Sequence, residues 1–287
     1  MLILDGKKVR DEIAETLKKR VAGCGATPKL AIIQIGENKE STAYIRQKKF
    51  FAEKIGAEVD HVQLPLDAST EDVLTRIQQA NTDSSVHGIL LQLPVPKTLD
   101  VDRVIEAIQP VKDVDGLCSV NVKLLWEGSI GGHMPATTRG ILSLLDYYQV
   151  SVSGKRVVVV GRSFLVGKPT AIALLNRDAT VTIAHSKTPN VPQIARGADI
   201  LITAAGKPHF IQREHVHENQ VIIDVGITAI TGKKLNDEVP EETLAGDVDF
   251  DMVKGIVHAL SPVPGGVGPM TVASLFQNLV DACERQQ

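Results

Sequence analysis

The sequence has few cysteines, and their arrangement indicates neither a disulfide framework nor a thiolate metal site. Only three occur in 287 residues, Cys24, Cys118 and Cys283. They are odd in number, far apart and without a C-x-x-C pair, which is typical of a reducing compartment. The histidines include His215 and His217, but no spacing matches a zinc helix or a zinc finger. We therefore expect no metal and a cytoplasmic location.

Long apolar runs and a strong net charge are also missing. No stretch approaches the ~18 apolar residues of a membrane span, and the short apolar run after Met1 lacks the features of a signal peptide. The formal net charge of −3 gives no reason to expect a nucleic acid or a membrane as a partner. With 43% hydrophobic and 23% charged residues, the chain has the composition of a globular protein long enough for two domains.

The second half contains a strand, a glycine turn, a helix and another strand. The valines at 157–160 form an unbroken apolar run, typical of a parallel strand buried on both faces. Gly161 and Gly167 follow in a turn, and Pro169 suits the first turn of a helix. Residues 180–184 alternate as the next strand. This order predicts a dinucleotide-binding βαβ unit, although the glycine spacing matches the usual fingerprint only loosely.

The end of that second strand indicates which dinucleotide is bound. An NAD site would place an acid there to hold the ribose hydroxyls, whereas this chain has His185, Ser186 and Lys187. Arg162 directly follows Gly161, so a guanidinium and the Ser186 hydroxyl could both face a 2′-phosphate. This favours NADP over NAD. The alternative is that Arg162 is a solvated surface charge and Ser186 a turn residue.

The first half also alternates helices and strands. Apolar spacing predicts a helix over 7–22, and a second helix is expected between Ser41, its cap, and Gly56. Ser69 and Asp72 have the form of a capping box. The remaining predicted elements are strands at 30–35, 59–64 and 86–91 and helices at 69–80 and 101–108.

A junction near residues 151–155 separates the two halves, after a helix expected to start at Thr137 or Thr138. Two more buried strands are predicted at 200–204 and 221–227. Residues 261–269 are too rich in proline and glycine for a regular element, and a helix follows at 270–283. We therefore assign 1–140, completed by 270–287, to a first domain and 141–269 to a second.

Several polar residues lie where open α/β sheets bind ligands. Tyr44 and Lys48 share one face of the second helix, Gln92 ends the third strand, and Asp113 and Asp115 lie in a loop before a glycine. Each residue also has a simpler interpretation. Lys48 resembles its solvated neighbours Lys49 and Lys54, the aspartates could cap a turn, Tyr44 could be core, and Gln92 could merely end a strand.

Five separated blocks together resemble the bifunctional methylenetetrahydrofolate dehydrogenase/cyclohydrolase family, in order and nearly end to end. The blocks are Tyr44 with Lys48, 92–96, 112–116, 161–169 and 262–271. The resemblance implies an α/β fold of two domains, an N-terminal catalytic domain that binds folate and a Rossmann-like parallel-sheet domain that binds NADP, with the active site in the cleft between them. One departure is Thr138, where relatives usually have a second proline.

The resemblance also implies an activity and a set of roles. The substrate 5,10-methylenetetrahydrofolate would lose a hydride to NADP, and water would then open the methenyl product to 10-formyltetrahydrofolate, in one-carbon metabolism that serves purine, methionine and histidine biosynthesis. A homodimer is expected. The implied catalytic residues are Lys48, Gln92, Tyr44 and Asp115, which also bind substrate together with Pro262 and Gly266. The implied cofactor-binding residues are Gly161, Arg162, Ser163, Ser186 and Ile227.

Lys48 is the candidate for proton transfer, because a lysine partly desolvated beside an amide can have its pKa lowered toward neutrality. Three other interpretations stay open at this point. The chain could have dehydrogenase activity alone, could use NAD, or could be a non-catalytic nicotinamide-binding protein.

Overall fold

The computed structural model describes residues 1–234 and 240–287 as a chain of alternating strands and helices. The strands are β1 Leu2–Ile3, β2 Lys29–Ile35, β3 Glu58–Leu64, β4 Gly88–Leu91, β5 Arg156–Val160, β6 Thr180–Ala184, β7 Ile200–Thr203, β8 Val221–Asp224, β9 Thr228–Lys234, β10 Pro240–Ala245 and β11 Ala259–Leu260. The helices are α1 Gly6–Gly23, α2 Lys39–Ile55, α3 Thr70–Thr82, α4 Val101–Glu106, α5 Ser119–Trp126, α6 Ala136–Tyr147, α7 Gly167–Leu175, α8 Val191–Arg196, α9 Phe250–Val253 and α10 Val267–Arg285.

The chain divides into two compact units. One consists of residues 1–10 and 137–271, and the other of residues 11–136 and 272–287. We call them the six-stranded unit and the three-stranded unit after their main sheets. Both sheets are parallel, which confirms the predicted α/β class.

The three-stranded unit has the strand order β3-β2-β4. Its central strand, β2, contributes side chains to a hydrophobic core on each face of the sheet, because successive side chains point to opposite sides. Leu30 belongs to a core that also contains Phe51 of α2 and Phe276 of α10, whose ring centroids are 5.3 Å apart. Ala31 belongs to a second core with Val73 of α3. The C-terminal helix is thus an integral part of this unit.

The six-stranded unit has the strand order β1-β11-β8-β7-β5-β6. The valines at 157–160 in β5 are at most 4% exposed, as an unbroken apolar run in a doubly covered strand requires. The predicted strand–turn–helix–strand order is confirmed in β5, α7 and β6.

The first residues lie in the six-stranded unit, whereas the sequence placed them with the first domain. In β1, Leu2 is the register partner of Ala259 in β11, and the backbone nitrogen of Leu4 donates to the oxygen of Leu260 at 3.0 Å. A two-residue strand gives no periodicity, and its partner lies near the other end of the chain. Neither fact is visible in a local pattern.

Three predicted helix starts are wrong, and one of them is that of α6, which was expected at Thr137 or Thr138 and begins at Ala136. The backbone nitrogen of Ser41 donates to Oδ1 of Asn38 at 3.1 Å, so Asn38, not Ser41, caps α2, which begins at Lys39. Helix α10 begins at Val267, inside the stretch expected to be irregular. Pro269 falls in its first turn, where a missing N–H costs nothing. Helices α5, α8 and α9 and strands β1, β9, β10 and β11 were not predicted.

Two cysteines that are distant in sequence are neighbours in the three-stranded unit. Sγ of Cys283 donates to the oxygen of Ala26 at 3.7 Å, two residues from Cys24, and all three cysteines carry free thiols. Among the described residues, no helix combines the length and hydropathy that crossing a membrane requires.

Candidate functional site

A buried lysine is the central polar feature of the three-stranded unit. Lys48 lies on the same face of α2 as the buried Ile45 and Ala52 and is only 9% exposed. Lys49 and Lys54, which are equal candidates by composition, are both exposed. The phase of the helix therefore distinguishes Lys48 from its neighbours.

Gln92 is the hydrogen-bond partner of this lysine. It follows β4 directly, and its backbone nitrogen donates to the oxygen of Ile33 at 2.8 Å, which keeps it in register with the sheet. Its Nε2 donates to the oxygen of Leu93 at 2.7 Å. The amide oxygen is thereby turned toward Lys48, whose Nζ donates to it at 2.7 Å.

The two aspartates of the 112–116 loop have different environments. The buried Asp113 accepts hydrogen bonds from the backbone nitrogens of Gly116 at 3.1 Å and Cys118 at 2.9 Å and from Nδ2 of Asn121 at 2.8 Å. It shapes the turn and caps α5. Asp115 is half-buried, and no hydrogen bond joins its carboxylate to another described residue. Of the two, only Asp115 keeps its oxygens available for a ligand.

The electrostatics of this group depend on burial. Burial lowers the pKa of Lys48 to about 8, against the opposing charge of Asp115. Burial raises the pKa of Asp115 to about 6, with Lys48 lowering it and Asp113 raising it further. At pH 7 roughly a tenth of Lys48 is therefore a neutral amine that can accept a proton, and this fraction grows as the pH approaches 8, while Asp115 is mostly ionised.

Two further features lie near these charged groups. A small cavity with apolar walls adjoins Asp113 and Asp115, and the ring of Tyr44 lies one helical turn from Lys48. Tyr44 is 39% exposed on α2. Because the Asp115 carboxylate has two unpaired oxygens, it can accept two parallel hydrogen bonds from a flat ligand. The cavity is lined by Ile89, Leu91, Leu93, Ile105, Ile108, Asp113, Asp115 and Leu117.

In the six-stranded unit, the turn after β5 requires its glycines. Gly161 has a φ of +133°, and a Cβ there would overlap the carbonyl oxygen of Ala204. A Cβ on Gly167 would in turn overlap the carbonyl oxygen of Gly161. Ser163 Oγ accepts hydrogen bonds from the backbone nitrogens of Val166 at 3.2 Å and Gly167 at 3.3 Å. The turn is therefore tight, and the start of α7 is capped from within it.

Arg162 and Ser186 lie at the ends of adjacent strands. Val160 and Ala184 are register partners in β5 and β6, so the residues that follow them emerge side by side. Arg162 and Ser186 are both exposed. The end of β6 carries no acid, whereas an NAD site would have one. A guanidinium and a hydroxyl at this edge fit a 2′-phosphate, so the residues present fit NADP.

The other predicted contacts of this unit lie on two further segments. Ile227 follows β8 and is 37% exposed. The loop before α10 is closed by a hydrogen bond of 2.7 Å from the nitrogen of Gly266 to the oxygen of Pro262. The nitrogen of Gly6 donates to the oxygen of Gly265 at 2.9 Å. The start of α1 therefore fixes this loop.

Asp224 and Asp247, both buried in the six-stranded unit, were missed by sequence reasoning. The available signal was weak, because it consisted only of an aspartate next to an apolar residue and near a glycine, Asp224 with Gly226 and Asp247 with Gly246. Among the described residues, no group of three or more histidine, cysteine, aspartate or glutamate side chains is placed to hold a metal ion.

Taken together, a parallel sheet with a tight glycine turn and a buried amine of lowered pKa define an α/β enzyme of the nicotinamide-dinucleotide class. Two family models match. The catalytic domain of tetrahydrofolate dehydrogenase/cyclohydrolase covers residues 4–115, and its NAD(P)-binding domain covers residues 135–287. The chain belongs to the tetrahydrofolate dehydrogenase/cyclohydrolase family.

Individual proteins show the same similarity. The chain is 46% identical to the bifunctional protein FolD of Methanoculleus marisnigri over 99% of this chain and 96% of that one. The crystal structure of the bifunctional FolD enzyme from Campylobacter jejuni matches with a TM-score of 0.94 and 36% identity, covering 100% of both chains. The Trypanosoma brucei enzyme, solved with NADP and an inhibitor, matches with a TM-score of 0.94 and 35% identity, covering 99% of this chain and 98% of that chain.

Proposed function

We propose that this protein catalyses two consecutive reactions on a folate. The first is the NADP-dependent oxidation of 5,10-methylenetetrahydrofolate to the 5,10-methenyl form, and the second is hydrolysis of that cation to 10-formyltetrahydrofolate. Family membership supports both reactions. The observation that carries the proposal is the 2.7 Å hydrogen bond between the buried Lys48 and Gln92, in a chain that also keeps Asp115 available.

The hydrolytic step needs a proton acceptor. Water attacks the carbon between two folate nitrogens, a carbon–oxygen bond forms, and the bond from that carbon to N5 breaks. The neutral amine of Lys48 takes a proton from the attacking water and returns one to N5, and the reaction releases one net proton. Gln92 holds the amine in place through its amide oxygen. The lowered pKa of Lys48 makes this possible near neutral pH.

The oxidative step needs a hydride acceptor close to the folate carbon, and bound NADP supplies it. Gly161 and Ser163 form the turn that lets the dinucleotide phosphates approach the backbone. Arg162 and Ser186 would hold the 2′-phosphate, and Ile227 would contact the nicotinamide end of the cofactor.

Folate recognition uses the three-stranded unit and the loop before α10. Asp115 accepts two hydrogen bonds from the 2-amino group and ring N–H of the pterin. Tyr44 offers a face to the aminobenzoyl ring. Pro262 and Gly266 contact the substrate from the loop that closes onto α1.

A two-wavelength assay tests this function. Cofactor reduction and disappearance of the methenyl product are both optical, so one cuvette follows both steps, with NADP in one series and NAD in another. We expect both activities, with NADP preferred. Cofactor reduction with methenyl accumulation would indicate a dehydrogenase alone, a preference for NAD would contradict the cofactor assignment, and no turnover would indicate a non-catalytic nicotinamide-binding protein.

We further propose that the enzyme is a homodimer. Strand β6 ends the six-stranded sheet and, among the described strands, pairs only with β5. Ile183 on β6 is 38% exposed and Leu175 on the adjacent α7 is 55% exposed, and exposed apolar groups beside an open strand edge favour association. Sedimentation equilibrium tests this proposal, and a monomer at micromolar concentration would contradict it.

The enzyme's proposed location is the cytoplasm, where one-carbon metabolism serves purine, methionine and histidine biosynthesis. The three free thiols fit a reducing compartment. Fractionation of cells of the source organism tests this location.

A further inference from the structure

Two buried aspartates of the six-stranded unit have no role in the proposed reactions. Asp224 is the last residue of β8 and is 2% exposed, and Asp247 follows β10 and is 0% exposed. Burial raises the pKa of both carboxyls, that of Asp224 to about 7. Two acids in one apolar region are costly unless hydrogen bonds compensate them. Their hydrogen bonds therefore indicate what they hold in place.

Asp247 gathers the turn that follows β7. Its Oδ2 accepts hydrogen bonds from the backbone nitrogens of Ala205 at 2.6 Å and Gly206 at 3.2 Å, and its Oδ1 accepts one from Lys207 at 2.7 Å. Three consecutive backbone N–H groups thus point at one carboxylate. This turn is shaped by a side chain 40 or more positions away.

Asp224 holds Asp247 in turn. Its Oδ1 accepts from the backbone nitrogens of Asp247 and Gly226, both at 3.1 Å, and from Oγ1 of the buried Thr203 at 3.0 Å. Its Oδ2 accepts from the backbone nitrogen of Val248 at 2.9 Å. Asp224 therefore joins the ends of β7 and β8 to the segment that carries Asp247.

Two positions next to the buried aspartates have no room for a side chain. A Cβ on Gly226 would overlap the carboxylate of Asp247, and a Cβ on Gly246 would overlap that of Asp224. Glycine at these positions lets the backbone close directly onto each acid.

The aspartates are connected to the glycine turn through Ala204. The backbone nitrogen of Ala204 donates to the oxygen of Val160 at 2.7 Å, and Gly161 packs so closely on the Ala204 carbonyl that no Cβ fits between them. Ala205, the next residue, is held by Asp247. A change in the 204–207 turn would therefore move the surface on which the Gly161 turn rests.

We infer that Asp224 and Asp247 are positioning residues that hold the 204–207 and 224–227 turns in the shape that binds NADP. The inference rests on the proposed function only in taking NADP as the ligand. Neither aspartate touches the reacting atoms in this account. They act through the backbone of the two turns and of the adjacent glycine turn.

Asp247→Asn tests this inference. An amide of the same shape turns an NH2 group toward backbone donors, so at least one of the three hydrogen bonds is lost whichever way the amide faces. The matched control is Asp249→Asn, because this substitution removes the same charge from the same segment. Its side chain caps α9 by accepting from the nitrogen of Met252 at 3.2 Å, and asparagine caps a helix equally well.

The measurement is the NADP dissociation constant by calorimetry, together with KM for each substrate. We expect Asp247→Asn to raise the NADP dissociation constant and KM by roughly tenfold, to leave KM for methylenetetrahydrofolate within twofold, and to leave the control unchanged. If the wild-type protein binds NADP, either of two results would overturn the inference alone. One is that Asp247→Asn binds NADP as tightly as the wild-type protein does. The other is that the KM values for NADP and for methylenetetrahydrofolate rise together. Wild-type protein that does not bind NADP would overturn the proposed function.

Hydrogen exchange decides the question if Asp247→Asn does not fold. In the wild-type protein, saturating NADP is expected to slow amide exchange at 205–207 and 225–227 by at least about threefold, while exchange in β3 stays unchanged. Equal exchange with and without NADP at both turns would overturn the inference.

Discussion

The two units prepare their functional residues in opposite ways. In the three-stranded unit a charged side chain is buried, and burial lowers the pKa of Lys48 to about 8. In the six-stranded unit the polar side chains Arg162 and Ser186 stay exposed. Its distinctive feature is the backbone conformation at Gly161. We therefore expect chemistry to be sensitive to side-chain identity in one unit, and cofactor binding to be sensitive to backbone geometry in the other.

Replacing Lys48 by methionine should have the largest effect. Hydrolysis is expected to fall by about 10²- to 10⁴-fold, the usual contribution of a proton-transfer group, while NADP still binds. The matched control is Lys49→Met on the exposed side of α2, which should keep full activity. The methenyl absorbance reports the rate, and undiminished hydrolysis in Lys48→Met would remove this residue from its role.

The same variant should not be less stable than the wild-type protein. The folded-state pKa of Lys48 is lowered from 10.5 to about 8, so the fold disfavours the charged form. Below pH 8 the buried charge lowers the free energy of unfolding by up to about 3 kcal/mol. This destabilisation decreases as the pH rises from about 8 toward 10.5. In Lys48→Met, removal of this electrostatic cost offsets the loss of the hydrogen bond to Gln92. The melting temperature of the variant at pH 7 is therefore expected to equal or exceed that of the wild-type protein. A clear drop would contradict this.

A backbone change at Gly161 should have the next largest effect, a weaker binding of the cofactor accompanied by a loss of stability. Gly161→Ala places a Cβ against the Ala204 carbonyl at a positive φ, and we expect a loss of about 1–3 kcal/mol of stability and at least tenfold weaker NADP binding. Gly154→Ala is the control, since Gly154 also has a positive φ but nothing lies within 4 Å of the added Cβ. It should cost about 1 kcal/mol and leave binding intact. Equal NADP affinity in both variants would argue against a tight turn.

Arg162→Ala should separate the two cofactors without the loss of stability expected for Gly161→Ala. Loss of a charge-assisted hydrogen bond to the 2′-phosphate is expected to weaken NADP by about 10- to 100-fold, with NAD affinity changed by less than about threefold. Fluorescence titration with both dinucleotides measures this difference, and NAD is the internal control. Equal losses would place the 2′-phosphate contact elsewhere.

The smallest expected effect is a shift in pH dependence. Hydrolysis in the wild-type protein should rise with pH and level off above about 8, because the neutral amine of Lys48 is the active form. The charge of Asp115 raises the pKa of Lys48, so Asp115→Asn should move the midpoint of kcat to lower pH by about one unit. Glu53→Gln, an exposed charge change on α2, should leave the midpoint unchanged. A shift in the opposite direction would contradict the electrostatic account.

Elements with local signals could be predicted from the sequence. The capping box was one, since the Ser69 nitrogen donates to Asp72 Oδ2 at 2.9 Å and the Asp72 nitrogen donates to Ser69 Oγ at 3.2 Å. The strand of four valines was another, because its pattern and its environment agree. By contrast, α5 receives its cap from Asp113, which accepts from Cys118, and from Glu106, which accepts from the nitrogen of Ser119. A search for a cap at the usual spacing does not find such distant groups.

The candidate site was predicted unevenly for the same reason. Sequence pattern alone could not separate Lys48 from Lys49, and the family resemblance made that choice. The stripe of α2 through Ile45 and Ala52 carries the physical signal, because it places position 48 on the buried face. The roles of Asp224 and Asp247 depend on contacts between distant strand ends, which no local pattern records.

The central claim is that Lys48 is an amine poised to exchange protons near neutral pH. The most direct measurement is an NMR titration of protein with isotopically labelled lysine side chains, comparing the wild-type protein with Lys48→Met. We predict one lysine signal that titrates near pH 8 in the wild-type protein and disappears in the variant. A titration in which the signal lost in Lys48→Met keeps a midpoint near 10.5, the ordinary value for lysine, in the wild-type protein would contradict the account.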